Sequence, residues 1–259
     1  MVGVGCKTGG AAGGGATSAG NATVPALTGE YWEQRMLADP VEATLIGDRR
    51  FDDRLPDESP AALDFEMARL RALRARVANV NVAALSAADR ITQALLLGQL
   101  DDDLARGECN LDEWSVDPRE GPQVEYLRLA ELQPVSTVAQ GTALVARWRA
   151  MGPAIDQKIA NLRRALAASK VAARDDVVRT LKQLDDLLAQ PNASWVLRAP
   201  AAQVHGDWSA AARAAFTGGI DDAIATSIRP AFARYRAVVH DEILARARDQ
   251  AHVGLLNIA

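Results

Sequence analysis

The chain has 259 residues, 49% of them hydrophobic, and a formal net charge of -4. That length and apolar content suffice to bury the core of one large or two ordinary domains, which excludes a disordered polymer. Basic and acidic residues are interleaved rather than gathered into a stripe, which argues against nucleic acid as a partner, and no apolar run approaches the roughly 20 residues that cross a bilayer.

The chain opens MVGVGCKTGGAAGGGATSAGN. A phosphate-binding loop needs Gly-x-x-x-x-Gly-Lys-Ser/Thr between a strand and a helix, but Cys6 stands where the second glycine belongs and no apolar strand leads in. Two readings of residues 1–24 remain, a disordered Gly-rich tail or a lipoprotein tether, with a helical domain over 25–259. Gly5-Cys6 followed by the Gly-rich run makes Cys6 the candidate for lipidation. Only five residues precede Cys6, without a basic or apolar leader, so the tether reading requires a start codon further upstream. It would make the protein periplasmic or a membrane-anchored lipoprotein; a plain tail would leave it cytoplasmic.

Thr28 to Leu37 predicts a short helix. Ser59-Pro60 reads as an N-cap with proline at the first helical position, and Leu63, Met67, Leu70, Leu73 and Val77 form the stripe to be buried. Ser86 starts another helix, to about Arg106. Residues 107–135, with Trp114, Pro118, Gly121, Pro122 and Pro134, read as a long irregular connection with room for one short strand. Thr137 and Gln140 have the spacing of a capping box, and Leu144 and Trp148 follow on one stripe. Gly152-Pro153 predicts a kink or a restart, because proline lacks an N–H and clashes with the preceding turn. Ile155, Ile159, Leu162 and Leu166 resume the stripe beyond it.

After Asp175-Asp176, the residues Val177, Leu181, Leu184 and Leu188 step by four, three and four until Pro191 and Asn192 stop the helix. Two long antiparallel helices over 154–168 and 175–190 are the simplest reading. Ser209 opens a last helix, to about 247, on which Phe216, Ile220, Ile224 and Ile228 recur at every fourth position, with a kink at Arg229-Pro230. The fold class is mainly α, a multi-helix array with long antiparallel helices.

The chemistry legible in side chains is sparse. Of the histidines His205, His240 and His252, none stands in a His-Glu-x-x-His pattern, and His240 is expected on a helix surface. Asp101-Asp102-Asp103 with Glu108 and Asp112 departs from calcium-loop spacing at Ala105 and Arg106, so a solvated helix end is expected. Cys6 and Cys109 give neither a disulfide framework nor a zinc spacing, and Cys109 is expected to be buried or half-buried. Trp114, Trp148, Trp195 and Trp208 read as core or lid aromatics. Asp52 and Asp53 beside Arg49, Arg50 and Arg54 read as a salt-bridged cap in preference to an acid/base pair.

Gly47-Asp48-Arg49-Arg50-Phe51-Asp52-Asp53-Arg54-Leu55-Pro56 resembles the entry segment of the bacterial domain of unknown function 885 (DUF885) family. Leu85 to Arg90, Gly121-Pro122-Gln123, Ile155-Asp156-Gln157, Gln183 to Leu188, Arg229 to Phe232 and Val253-Gly254-Leu255 follow in the order that family has them. A departure is Ser169 to Ala173, where many relatives carry a glycine and a proline in the turn. The resemblance implies a helical, zincin-like metallopeptidase, often an exported lipoprotein, whose zinc motif His-Glu-x-x-Pro-Gly-His lies in a second half. This chain resembles the N-terminal, non-catalytic half, shortened by truncation, frameshift or an early stop.

On that reading no residue here is catalytic, cofactor-binding or metal-ligating, and zinc is expected only in the absent C-terminal half. The partners would be a peptide substrate or the missing half. Self-association is expected if part of the Phe216, Ile220, Ile224 and Ile228 stripe is left uncovered. The alternative is a free-standing helical peptide- or protein-binding module whose 107–135 connection, with Trp114, forms the binding surface.

Overall fold

The computed structural model describes residues 23–109, 113–114, 116–203 and 206–249. Cys6, Asp112, His205, His252 and the residues before Thr23 lie outside this set. The first helix, α1 (Val24–Ala38), is longer than expected and starts earlier: the Thr23 side chain accepts from the Ala26 N–H, and Val24 is already buried. Asp39 then ends α1 and caps α2 (Pro40–Leu45), its Oδ1 accepting from the N–H groups of Val41 and Glu42. Helix α3 (Pro60–Ala78) is capped by Ser59, as its sequence predicts, and α4 (Ala87–Cys109) runs past Arg106. Leu27 and Tyr31 of α1, Leu70, Leu73 and Val77 of α3, and Leu96 and Leu100 of α4 close a small core of their own. Cys109 is exposed at the end of α4, not buried, because the apolar stripe of that helix is spent by Leu104.

The 107–135 stretch is not one irregular connection. It holds α5 (Pro122–Leu132), and no strand occurs among the described residues. Gly121 and Pro122, which read as breakers, are the N-cap and the first helical residue, where the missing N–H of proline costs no hydrogen bond.

Helix α6 (Val138–Ala167) begins in the expected capping box, with both reciprocal hydrogen bonds of Thr137 and Gln140 present. It continues through Pro153 for 30 residues rather than restarting there. Pro153 deprives the Arg149 carbonyl of its helical donor, and the Ser227 hydroxyl donates to that carbonyl instead, at 3.0 Å. Gly152 makes this approach possible: a Cβ there would lie 2.3 Å from Ser227 Oγ and 3.0 Å from its backbone oxygen.

The α6 C-terminus explains the departure noted at Ser169. The Ser169 N–H donates to the Leu166 carbonyl and the Lys170 N–H to that of Ala165, a Schellman arrangement that places Ser169 at φ 60°. An L-residue in the left-handed region is held at a cost of about 1–2 kcal/mol, which glycine escapes. Ser169→Gly is therefore expected to raise stability by up to about 1 kcal/mol, the greater freedom of glycine in the unfolded chain offsetting part of the gain. Urea denaturation checks this, and a lowered midpoint would contradict it.

Beyond that turn come α7 (Arg174–Ala189), the short α8 (Ala199–Ala202), α9 (Ala210–Asp222) and α10 (Arg229–Val238). A π-helical turn over Ala223–Ile228 joins α9 to α10, and the Arg229 N–H reaches back to the Ile224 carbonyl. The irregularity expected at Arg229-Pro230 is thus taken up one turn earlier. Helices α6 and α7 both pack on α10, within a core that includes Trp148, Trp195, Phe232 and Tyr235. The Ala172–Arg174 turn is pinned to the segment that follows α10, with Arg248 N–H donating to Ala172 O at 3.0 Å and Arg174 N–H to Arg248 O at 2.7 Å.

The expected uncovered stripe is not found. Phe216, Ile220, Ile224 and Ile228 are all buried in the same core, because a glycine on each helix lets α6 and α9 approach: Gly141 of α6 lies against Trp208 and Phe216, and Gly219 of α9 lies against Val145 of α6.

Candidate functional site

The segment 47–56 wraps around a single buried cation. Arg147 of α6 is fully buried, and its Nε donates to Arg54 O at 2.7 Å and its Nη1 to Gln133 Oε1 at 2.8 Å. Nη2 donates to Phe51 O at 2.7 Å, Thr44 Oγ1 at 2.9 Å and Pro40 O at 3.1 Å. Burial pushes the guanidinium down to about 10, opposed by the carboxylates of Asp52 and Asp53. Asp52, itself buried, accepts from the Thr44 hydroxyl at 2.7 Å and from Arg49, while Gln133 Nε2 donates to its carbonyl at 3.0 Å. Asp52 and Arg49 therefore belong to a structural network, and Asp53 pairs with its neighbour Arg54 at 3.4 Å. This arrangement anchors the 40–56 segment.

Beside this anchor lies a cavity of about 400 Å³. Its walls come from α2, the 56–58 segment, the Glu120–Pro122 turn, α5, α6 and α10. Glu58 is fixed there by α6: its N–H donates to Gln157 Oε1 at 3.0 Å, and its carbonyl accepts from Asn161 Nδ2 at 3.0 Å. Lys158 Nζ donates to Glu58 Oε1 at 2.7 Å, with Glu125 Oε2 at 4.0 Å. Leu129 and Leu162 contribute apolar lining, as do Tyr126 of α5 and Tyr235 of α10.

Burial raises Tyr126 well above the ordinary phenol range, and Glu58 and Glu125 push the same way. Tyr235 is raised by burial first, then by Glu125 and Glu58. Tyr31 is raised by burial and by its hydrogen bond to Asp103, at 2.7 Å. These are all three tyrosines of the chain. A raised folded-state value means that the protonated phenols contribute stability fully below the ordinary value near 10, and that this contribution is lost as pH rises beyond it. Phenolate absorbance is thus expected to appear only together with alkaline unfolding, followed by far-ultraviolet circular dichroism. A tyrosine titrating near 10 in the folded protein would contradict this.

The other predicted residues are scattered. His240 is exposed, its Nδ1 2.6 Å from Asp241 Oδ1. Asp101 pairs with Arg74, Asp103 meets Tyr31 and Arg106, and Glu108 pairs with Arg71 at 3.3 Å. Trp114, Trp148, Trp195 and Trp208 are buried, as core aromatics should be. Sequence reasoning assigned no site role to Arg147 or to the cavity residues, of which Pro56, Gly121, Pro122 and Leu162 entered only as family-like, turn or stripe residues. The signal for Arg147 was a charge standing among the stripe residues Leu144, Trp148 and Met151 of α6.

Several family-like segments meet in space. Gln123 Nε2 donates to Gln183 Oε1 at 2.9 Å, and Gln183 Nε2 donates to Pro118 O at 2.8 Å. Gln157 holds Asp57 at 2.9 Å as well as Glu58, and Arg229 Nη1 reaches Gln190 O at 2.8 Å.

Nothing among curated proteins matches the chain. Of solved structures, the "putative lipoprotein from Colwellia psychrerythraea" has a similar fold, with a TM-score of 0.77 at 14% identity. The similarity covers 88% of this chain and 42% of that one, so this chain spans less than half the length of its structural neighbour. The profile of the family described as "Bacterial protein of unknown function (DUF885)" matches residues 40–255, from the helix before the Arg147 anchor onward, and the chain belongs to that family.

Proposed function

We propose that the chain is a helical, peptide-binding portion of a DUF885 protein of the bacterial envelope. The observation that supports this best is the cavity of about 400 Å³ beside the Arg147 anchor, which sets apolar lining among a few fixed polar groups. That size and composition suit a small ligand or the end of a peptide. The described residues include no group of three or more His, Cys, Asp or Glu arranged to hold a metal, so they do not fit a zinc ion. On this reading the zinc peptidase chemistry implied by the family resemblance belongs to the part of the longer relatives that this chain does not span.

Envelope placement draws on the description of the Colwellia protein as a lipoprotein and on Gly5-Cys6 with its Gly-rich run. It makes Cys6 a lipid acceptor. Incorporation of labelled palmitate in cells expressing the gene from its own locus should be abolished by Cys6→Ser, and absent labelling would remove the tether.

Calorimetric titration with short apolar peptides tests the binding role. Saturable binding is expected, abolished by Leu132→Trp, which fills the cavity from α5, without loss of cooperative unfolding. Absence of peptide binding, or binding untouched by this substitution, would refute the assignment to the cavity. The covered Phe216 to Ile228 stripe favours a portion that folds without a partner over one that depends on it. A monomer that binds no hydrophobic dye is the matching result, whereas dye binding with self-association would favour the dependent half.

A further inference from the structure

We infer that α1, α3 and α4 form an arm that opens from the rest of the molecule as one unit, pivoting at Asp39 and Ser59, while the Arg147 anchor and the cavity beside it stay closed. This motion does not depend on what the cavity binds.

The buried apolar side chains divide into two cores with no member in common. Leu27 and Tyr31 of α1 meet Leu70, Leu73, Leu96 and Leu100 in one, whereas Trp148, Trp195, Phe232 and Tyr235 belong to the other. Burial stabilises the residues that lose water together, so separate cores make separate cooperative units. The arm, with far fewer buried side chains, is the weaker of the two. Polar contacts follow the same division. Arg76 of α3 donates to Glu30 of α1 at 2.6 Å, Tyr31 to Asp103 of α4 at 2.7 Å, and Gln93 of α4 to the Val77 carbonyl of α3 at 2.9 Å, so all three travel with the arm. Among the described residues, the ion pairs that cross from arm to body are Arg35–Glu42 and Glu33–Arg50, both accessible to solvent, where such pairs add little. Helix α1 also lies against α2, which makes that contact the joint.

The body grips the chain on its own side of each pivot. Directly after Asp39, the Pro40 carbonyl accepts from Arg147 at 3.1 Å. Directly before Ser59, Gln157 and Asn161 of α6 hold the N–H and the carbonyl of Glu58, and Ser59 itself caps α3. Where the chain returns from α4, Glu113 pairs with Arg164 of α6 and Val116 lies in the larger core. Among the described residues the cavity lining takes nothing from α3 or α4, so its walls stay in place when the arm opens.

Hydrogen–deuterium exchange of the intact chain, read by mass spectrometry of peptic fragments, follows both units at once. Amides of α3 and α4 are expected to be protected at least about tenfold less than those of α6 and α10, and to respond less steeply to low urea, because a partial opening exposes less surface. Trp148→Phe, in the larger core, should speed exchange in α6 and α10 about tenfold and leave α3 and α4 unchanged. Leu73→Ala, in the smaller core, should speed exchange in α1, α3 and α4 at least about tenfold. If that variant cannot fold the arm, those helices alone should lose protection. Equal protection in all helices, or equal acceleration of all of them by Trp148→Phe, would show a single cooperative unit and overturn the arm.

Discussion

Arg147→Met is expected to cost about 3–5 kcal/mol, a large part of the stability of a typical domain, read as a shift of the urea midpoint. Methionine preserves much of the side-chain volume, so the loss reports the polar contacts. Without the guanidinium, the carbonyls of Pro40, Phe51 and Arg54 and the Gln133 amide oxygen lose a donor inside a closed site. Each buried acceptor left unpaired costs about 1–3 kcal/mol, with partial relief where the 40–56 segment loosens and admits water. Buried Asp52 keeps its ion pair with Arg49 but loses a second cation nearby. Arg147→Lys should recover only a fraction, because an ammonium cannot present the planar fork that reaches carbonyls on several sides. A loss below about 1 kcal/mol in the methionine variant would show that the segment is held by other contacts.

Trp148→Ala should be comparably damaging, at about 3–5 kcal/mol. The indole is fully buried one turn from the Pro153 region of α6, and its Nε1 donates to the Leu197 carbonyl at 3.0 Å, tying the chain between α7 and α8 to the core. Truncation removes the apolar ring, opens a cavity that the surrounding helices cannot fully close, and orphans that carbonyl. Trp148→Phe separates the contributions: most of the apolar contact stays while the hydrogen bond goes, so a loss of about 1–2 kcal/mol is expected. If phenylalanine costs as much as alanine, the hydrogen bond outweighs the packing. A neutral Trp148→Ala would contradict the assignment of this residue to the main core.

Much of the helical layout is local in origin and was legible in the chain. Ser59, the Thr137–Gln140 box and Ser209 satisfy the first N–H groups of their helices from within three or four residues, and all three caps are formed. Val177, Leu181 and Leu184 of α7 are buried as their spacing requires, whereas Leu187 is buried and the expected Leu188 only half-buried. Gly121-Pro122 shows the limit of such reading, since the same pair can end a helix or begin one, and only Gln123 reaching Gln183 sixty residues away accompanies the second choice. Pro153 shows it again, because the donor that compensates for its missing N–H comes from Ser227 on another helix.

The sequence by itself determined most of the long helices, their caps, the mainly α class and the family, but not α2, α5 or the unbroken run of α6. Tertiary structure alone decided that Arg147 is the buried centre of the 40–56 segment and that Glu58, Tyr126, Lys158 and Tyr235 share one cavity. Caps and periodic stripes arise from interactions within one or two turns, so they can be read along the chain. A buried cation and a ligand cavity depend on which groups meet after distant segments close, as Arg147 and Arg54 do across 93 residues, and no local pattern carries that information.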